Sequence, residues 1–447
     1  MHRIQTKDLT EHSVDGALWR LALPSIGGLV FTMLFNLVDA FFVGRLGPAA
    51  LAAVSSSAFL YWAIESVAEI PTIGGRALVA RRVGAREPER ARDECSRTIA
   101  VSFLLGAGVL LLGLWTLEAI FVAMRVEASV ARLGHDYLGV LFAGAHALLF
   151  IRSSEGLLQG TGDARTPMYS HMAALLLNCV LDPILIFGWG PAPEMGVRGA
   201  AVATVFCQGL AAAWNLATLA RRGLWSPASV VRATSPRALW EIIRIGLPVG
   251  GMSVAFSLVY VGLTRVVAGY GTAAVAALGL GHRIESVNYL ISVGFSHATG
   301  ALVGQNLGAR NMDRLRTTVV RALRLVTAVV LPFAVVMVVW PSWLAERFIQ
   351  DAATIALASS YIRIAGLAHV GMGWWIVTQG AFGGMGRTLG AMLIVLPAIL
   401  LRLPVAWFFR SRGQPVEAIW WAISLSAALN GTLLLWWWFK RGPGREG

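Results

Sequence analysis

Charge is scarce in this chain. Asp, Glu, Lys and Arg together make up 14% of its 447 residues, where a soluble domain carries about 25%. Hydrophobic residues make up 56%, and mean hydropathy is +0.66. A water-exposed surface cannot be built from that composition, so the chain reads as an integral membrane protein. Lysine is nearly missing, with 2 against 35 arginines. Cysteine is rare as well: Cys95 stands in a charged stretch, Cys179 and Cys207 in apolar runs. With no C-x-x-C spacing, neither a disulfide framework nor a zinc site is expected. H-E-x-x-H and G-x-x-x-x-G-K-[S/T] are also missing, which removes the footing for a zinc hydrolase or an ATP-driven pump. The polar start, Met1 to Arg20, has no cleavable signal pattern, so the first apolar run is expected to be retained.

What the chain has is long apolar runs. About 20 apolar residues cross a bilayer, and twelve spans are expected: 18–43, 50–74, 98–124, 134–158, 168–190, 197–220, 241–268, 274–300, 317–340, 355–383, 388–410 and 415–439. Three connections, 75–97, 221–240 and 301–316, read as longer basic loops. With twelve crossings they fall on the same side as the tail residues Lys440, Arg441 and Arg445. Lys and Arg gather in cytoplasmic loops, which places both termini in the cytoplasm and accounts for the net charge of +13 without nucleic acid. Seventeen tryptophans cluster near span ends, as at Trp436 to Trp438, where interfacial anchors belong.

The sequence also repeats itself at a shift of 224 residues. Pro24 meets Pro248, and Gly47-Pro-Ala-Ala-Leu-Ala-Ala53 meets Gly271-Thr-Ala-Ala-Val-Ala-Ala277. Ala77-Leu-Val79 meets Ala301-Leu-Val303, and Tyr137 meets Tyr361. Span 1 thus maps onto span 7, an even number of crossings, so the two halves share one orientation. Parallel repeats of this kind belong to transporters that hold substrate between their halves. The expected organisation is an amino-terminal six-helix lobe (1–220), a cytoplasmic linker (221–240), and a carboxy-terminal six-helix lobe with a short cytoplasmic tail (241–447).

Polar residues inside the spans are candidates for function, because an ionisable group in a bilayer is costly, about 2.5–3.5 kcal/mol on insertion scales. Asn36 and Asp39 share a face of span 1, and Asn178 and Asp182 share a face of span 5. Pro183 lacks an N–H and frees the Cys179 carbonyl, a ligand or a hinge. In spans 7 and 8, Ser253, Ser257, Tyr260 and Thr264, and Glu285, Asn288, Tyr289, Ser292 and Ser296, form polar stripes that could wall a cavity. Arg283 could instead neutralise Glu285. Glu65 and Glu69 read either as a second acidic site or, more simply, as partners of Arg76 or another basic group.

Several blocks together resemble the MATE (multidrug and toxic compound extrusion) family, nearer its DinF-like than its NorM-like branch. They are Asn36-Leu-Val-Asp-Ala-Phe-Phe-Val-Gly44, Gly156-Leu-Leu-Gln-Gly-Thr-Gly-Asp-Ala-Arg-Thr-Pro-Met168, Asn178-Cys-Val-Leu-Asp-Pro-Ile184, Gly196-Val-Arg-Gly-Ala-Ala-Val-Ala-Thr204 and Leu302-Val-Gly-Gln-Asn-Leu-Gly-Ala-Arg310. The resemblance covers about Gly16 to Lys440. It implies an all-α membrane fold of twelve transmembrane helices in two pseudo-symmetric bundles, the MATE/MOP superfamily fold. It implies export of amphipathic or cationic organic compounds by alternating access, against H⁺ or Na⁺, by a monomer in the bacterial inner membrane with no cofactor. The family's cation site maps onto Asp39, Asn178, Asp182 and Thr204, all oxygen donors suited to H⁺ or Na⁺, and its bending proline onto Pro24. Asn36, Tyr260, Glu285 and Asn288 are the expected cavity residues. The alternative within the superfamily is a lipid-linked oligosaccharide flippase; a membrane-embedded enzyme lacks a converging catalytic set.

Overall fold

The structure is a computed structural model that describes residues 4, 6–124, 127–190, 192–226, 229–230 and 235–441. Residues 227–228 and 231–234 of the expected linker, and Arg445 of the tail, lie outside them. The described residues are helical almost throughout. In chain order they form α1 (Val14–Gly44), α2 (Pro48–Gly84), α3 (Pro88–Met124), α4 (Ala128–Ala143), α5 (Ala145–Gly160), α6 (Arg165–Phe187) and α7 (Val197–Arg221). The carboxy-terminal half follows with α8 (Pro236–Val267), a 3-10 turn at Ala268–Tyr270, α9 (Thr272–Gly308), α10 (Met312–Val339), α11 (Pro341–Glu346), α12 (Ala352–Gly384), α13 (Thr388–Ser411) and α14 (Glu417–Arg441).

Caps and turns set the helix ends. Ser13 Oγ accepts from the Gly16 N–H, Asn311 Oδ1 from the Arg314 N–H, and Asp351 Oδ2 from the Thr354 N–H, each satisfying a donor the helix leaves free. The expected long loops 75–97 and 301–316 prove to be helix ends joined by tight turns. At 1.5 Å per residue, the 37-residue α2, α3 and α9 outrun the roughly 30 Å hydrocarbon layer, so their charged ends stay helical beyond it. The turns hold Arg86 and Arg310 at φ of 58° and 57°. These residues are one repeat apart, as are two other positive-φ pairs, Gly47 with Gly271 and Gly162 with Gly386. The repeat is therefore carried by backbone conformation as well as by sequence. Cys95, expected in a charged loop, is buried within α3.

By length and apolarity ten helices qualify as spans, and eleven when α4 and α5, bent by 50° at Gly144, are taken as one. The expected span 274–300 lies in α9, which is long enough but carries His282, Arg283, Glu285 and His297. Nineteen of its residues are buried in the protein, so α9 needs less apolar surface than a lipid-facing helix. The lipid-facing sides show in large exposed apolar residues such as Trp115 and Leu111.

Buried apolar residues fall into two large clusters, one from Phe35 to Ala212, the other mostly from Val249 to Trp438. The halves meet closely toward the face where α1 begins. There α2 crosses α9 with no room for side chains: a Cβ on Gly84 would strike the Gln305 carbonyl, and one on Gly308 the Arg81 carbonyl. These two contacts are exchanged by the repeat, so glycine is required twice for one reason. The amino-terminal segment straps the crossing. The Leu9 N–H donates to Gln305 Oε1 at 3.0 Å, the Gln305 amide donates to the Lys7 and Gly160 carbonyls, and Arg314 donates to the Leu9 carbonyl.

Candidate functional site

Three helices of the amino-terminal half bring four of the expected residues together. Asp39 comes from α1, Asn178 and Asp182 from one face of α6, and Thr204 from α7. All four are buried. Thr204 Oγ1 donates to Asp39 Oδ2 at 2.9 Å, and Asn178 Nδ2 donates to Asp182 Oδ1 at 2.9 Å. The two carboxyls lie close enough to act on each other directly. Asp39 Oδ1, Asp182 Oδ2 and Asn178 Oδ1 are buried with no donor among the described residues. Two ionised carboxylates in contact repel, and a proton or a cation between them relieves both the repulsion and the unpaired oxygens. The donor set is hard oxygen throughout. Tyr137 of α4 lies near both acids; the sequence marked it only as the repeat partner of Tyr361. Pro24 and Pro183 both lie inside continuous helices, α1 and α6, with Pro183 directly beside Asp182.

The remaining candidates are spread over two cavities. The larger, of about 670 Å³, lies between the halves. Tyr260 and Glu285 are on its wall, with Trp62, Phe256, Tyr289 and Trp375. From the span 7 and 8 stripes, Ser253, Thr264 and Ser296 also line it, but Ser257 and Ser292 do not. Asn288 does not line it either; it is buried within the protein, its amide lacking partners among the described residues. Asn36 is exposed and lines a smaller cavity, which shares Glu65 and Arg152 with the larger one. The large cavity's fixed charges balance, with Arg76, Arg152 and Arg402 against Glu65, Glu69 and Glu285.

Each of those acids has a defined partner. Glu65 pairs with Arg152 at 3.0 Å rather than with Arg76, and Glu69 accepts from Ser253 Oγ at 3.5 Å. Glu285 accepts from the Tyr361 hydroxyl at 2.9 Å and lies 4.0 Å from His282 Nε2, while Arg283 is exposed. Arg402 of α13 stands on the same cavity wall, near enough for its charge to act on Glu285; it is buried, donates through Nε to Ser426 Oγ at 2.6 Å and is set over the Phe256 ring. Sequence reading passed over Arg402, although a lone arginine between Pro397 and Pro404 in an apolar helix is a visible signal.

A family model described as MatE matches residues 24–184 and again residues 248–408, at the same offset as the paired turns. A Shewanella oneidensis protein named FAD transporter is 28% identical over 395 residues, covering 88% of this chain and 87% of its own. A Thermotoga maritima protein named probable multidrug resistance protein NorM is 27% identical over 393 residues, covering 87% and 84%. Among solved structures, a multidrug resistance MATE family transporter of the MOP superfamily in an outward-facing conformation matches with a TM-score of 0.87. It is 25% identical, with 98% of each chain covered. The chain belongs to the MatE family: it is a multi-pass membrane transporter of the MOP superfamily, not an enzyme.

Proposed function

We propose that this transporter is a secondary active exporter of amphipathic or cationic organic compounds, driven by entry of H⁺ or Na⁺ at Asp39, Asn178, Asp182 and Thr204. The observation that carries this reading is the pair of neighbouring, buried carboxyls, with three oxygens around them that have no donor among the described residues. In the proposal the lobes are residues 1–220 and 241–447, joined by the cytoplasmic linker 221–240, with both termini in the cytoplasm of a bacterium and the chain acting as a monomer. The α2–α9 crossing then seals the cytoplasmic side of the cavity. Pro24 and Pro183 let α1 and α6 bend as the site fills. Coupling requires the cation to bind the two conformations with different affinity; equal binding, however tight, shifts nothing. H⁺ is the favoured ion, in keeping with the DinF-like character of the sequence blocks.

A second reading follows from the cavity wall. Arg76, Arg152 and Arg402, with Trp62 and Trp375, would suit a ligand that joins phosphates to flat rings, and one relative carries the name FAD transporter. The balanced wall speaks less for a lipid pyrophosphate, which favours an excess of positive charge. Dye efflux from proteoliposomes under separately imposed pH and Na⁺ gradients, with FAD as competitor, tests all of this. A pH gradient alone should drive cationic dye out, and FAD should not compete. Efflux driven by neither gradient would refute the coupling.

A further inference from the structure

From the acid pair a line of polar side chains descends toward the face where α1 begins. Asn36 and Thr32 lie on the Asp39 side of α1, one and two turns below it. With His171 they line the smaller cavity, of about 20 Å³, enough for one water. Glu65, Arg152 and Tyr61 line its other side. His171 Nδ1 is 3.4 Å from Thr32 Oγ1, and His171 Nε2 is 3.5 Å from Glu155 Oε2. Glu155 Oε1 accepts from Gln159 Nε2 at 3.0 Å, and that same amide nitrogen lies 3.4 Å from His297 Nδ1 of α9. Arg76 donates to Gln159 Oε1 at 3.0 Å. His171, Glu155 and Gln159 are buried, and nothing in the acid-pair chemistry uses them.

We propose that His171 and Glu155 form a proton exit path from the acid pair to the amino-terminal face, capped here by His297 and Gln305 of the carboxy-terminal half. It rests on the reading that Asp39 and Asp182 take up a proton. The carboxyl O–H at the acid pair breaks, and its proton passes through the cavity water to His171 Nδ1. The Nε2–H then breaks as an O–H forms on the Glu155 carboxylate. Glu155 finally gives that proton to bulk water, and a ring flip resets His171. The fixed groups facing this pair are Arg152 and Glu65 from one side, and Arg76, Glu69 and His297 from the other. Arg152, 3.5 Å from Glu155, favours return of Glu155 to its ionised state. Because the cap belongs to the other half, the path opens only when the halves part at the α2–α9 crossing. A proton can therefore leave in one conformation and not in the other, which is what coupled exchange needs.

The test uses the full chain in proteoliposomes with ethidium as the transported dye and an internal pH reporter. Glu155→Gln and His171→Gln should each slow proton-driven ethidium efflux at least about tenfold. Ethidium affinity in detergent should stay within about twofold, and Glu155→Asp should recover part of the rate with a shifted pH profile. Wild-type rates and an unchanged pH profile in both variants overturn the exit path, as does efflux driven by Na⁺ at constant pH. If Glu155→Gln does not fold, Glu155→Asp with His171→Gln decides the matter by the same readouts. Loss of efflux in Asp39→Asn together with wild-type rates in Glu155→Gln sinks the path alone; wild-type efflux in Asp39→Asn sinks the acid-pair reading itself.

Discussion

The two halves put different chemistry at matching places. Shifted by one repeat, Asp39 falls on Leu263, Asn178 on Arg402, Asp182 on Ala406 and Thr204 on Ala428, while Tyr137 falls on Tyr361. The amino-terminal half thus gathers two carboxyls and leaves three oxygens without donors among the described residues. The carboxy-terminal half removes both acids and supplies a guanidinium of its own, Arg402, whose charge acts on Glu285. On the proposed function, one half takes up a mobile positive charge; the other carries one tethered to its backbone. On the same proposal, a shared scaffold with opposite polar fillings would give one half the ion and leave the other to hold substrate, an asymmetry that alternating access between equal bundles would otherwise lack.

Removing a member of each filling should separate the two roles. The largest effect belongs to Asp182→Asn, which leaves the helices packed but takes away one of the paired acids; gradient-driven dye efflux should fall at least about a hundredfold, while detergent dye binding persists. Arg402→Ala should act on stability first. It removes the positive charge that acts on Glu285 and the hydrogen bond to Ser426, at a cost of about 1.5–3 kcal/mol by thermal or denaturant unfolding, and Arg402→Ala with Glu285→Gln should lose markedly less. If the double variant is no better than the single, the two groups do not balance each other.

A smaller effect should come from outside the membrane. Asp163, in the turn between α5 and α6, is buried, which alone would raise its carboxyl. Arg222, Thr166 and Lys7 outweigh burial and hold the group below the usual carboxylate range. A lowered folded-state pKa adds stability above the unfolded value, about 3.9, and loses it as pH falls through the folded value. Asp163→Asn should therefore destabilise by about 2 kcal/mol at neutral pH. The gap to wild type should close as pH drops below about 4; a gap that widens in acid would reverse the sign of this account.

Much of the site was legible because its members are expensive. Asp39 in span 1, and Asn178 one turn from Asp182 in span 5, stand out against apolar surroundings, and the family resemblance supplied Thr204. Helices and repeat were legible from the same contrast between polar and apolar. Three things were not. Helix ends at 75–97 and 301–316 look like loops because charge density there reports the membrane boundary, while the chain stays helical past it. Asn288 shares the face spacing of Glu285 and Ser292 but turns into protein, because α9 is packed on several sides and periodicity does not say which neighbour occupies which side. The His171–Glu155–Gln159–His297 line joins three helices from both halves, so no single segment shows it.

The most direct test of the central claim is the proton count carried by Asp39→Asn in proteoliposomes, with an imposed pH gradient and simultaneous readout of dye and internal pH. The account predicts that dye efflux and dye-linked proton entry are both lost, with dye affinity and melting temperature close to wild type. Undiminished efflux with proton entry still in step would contradict it.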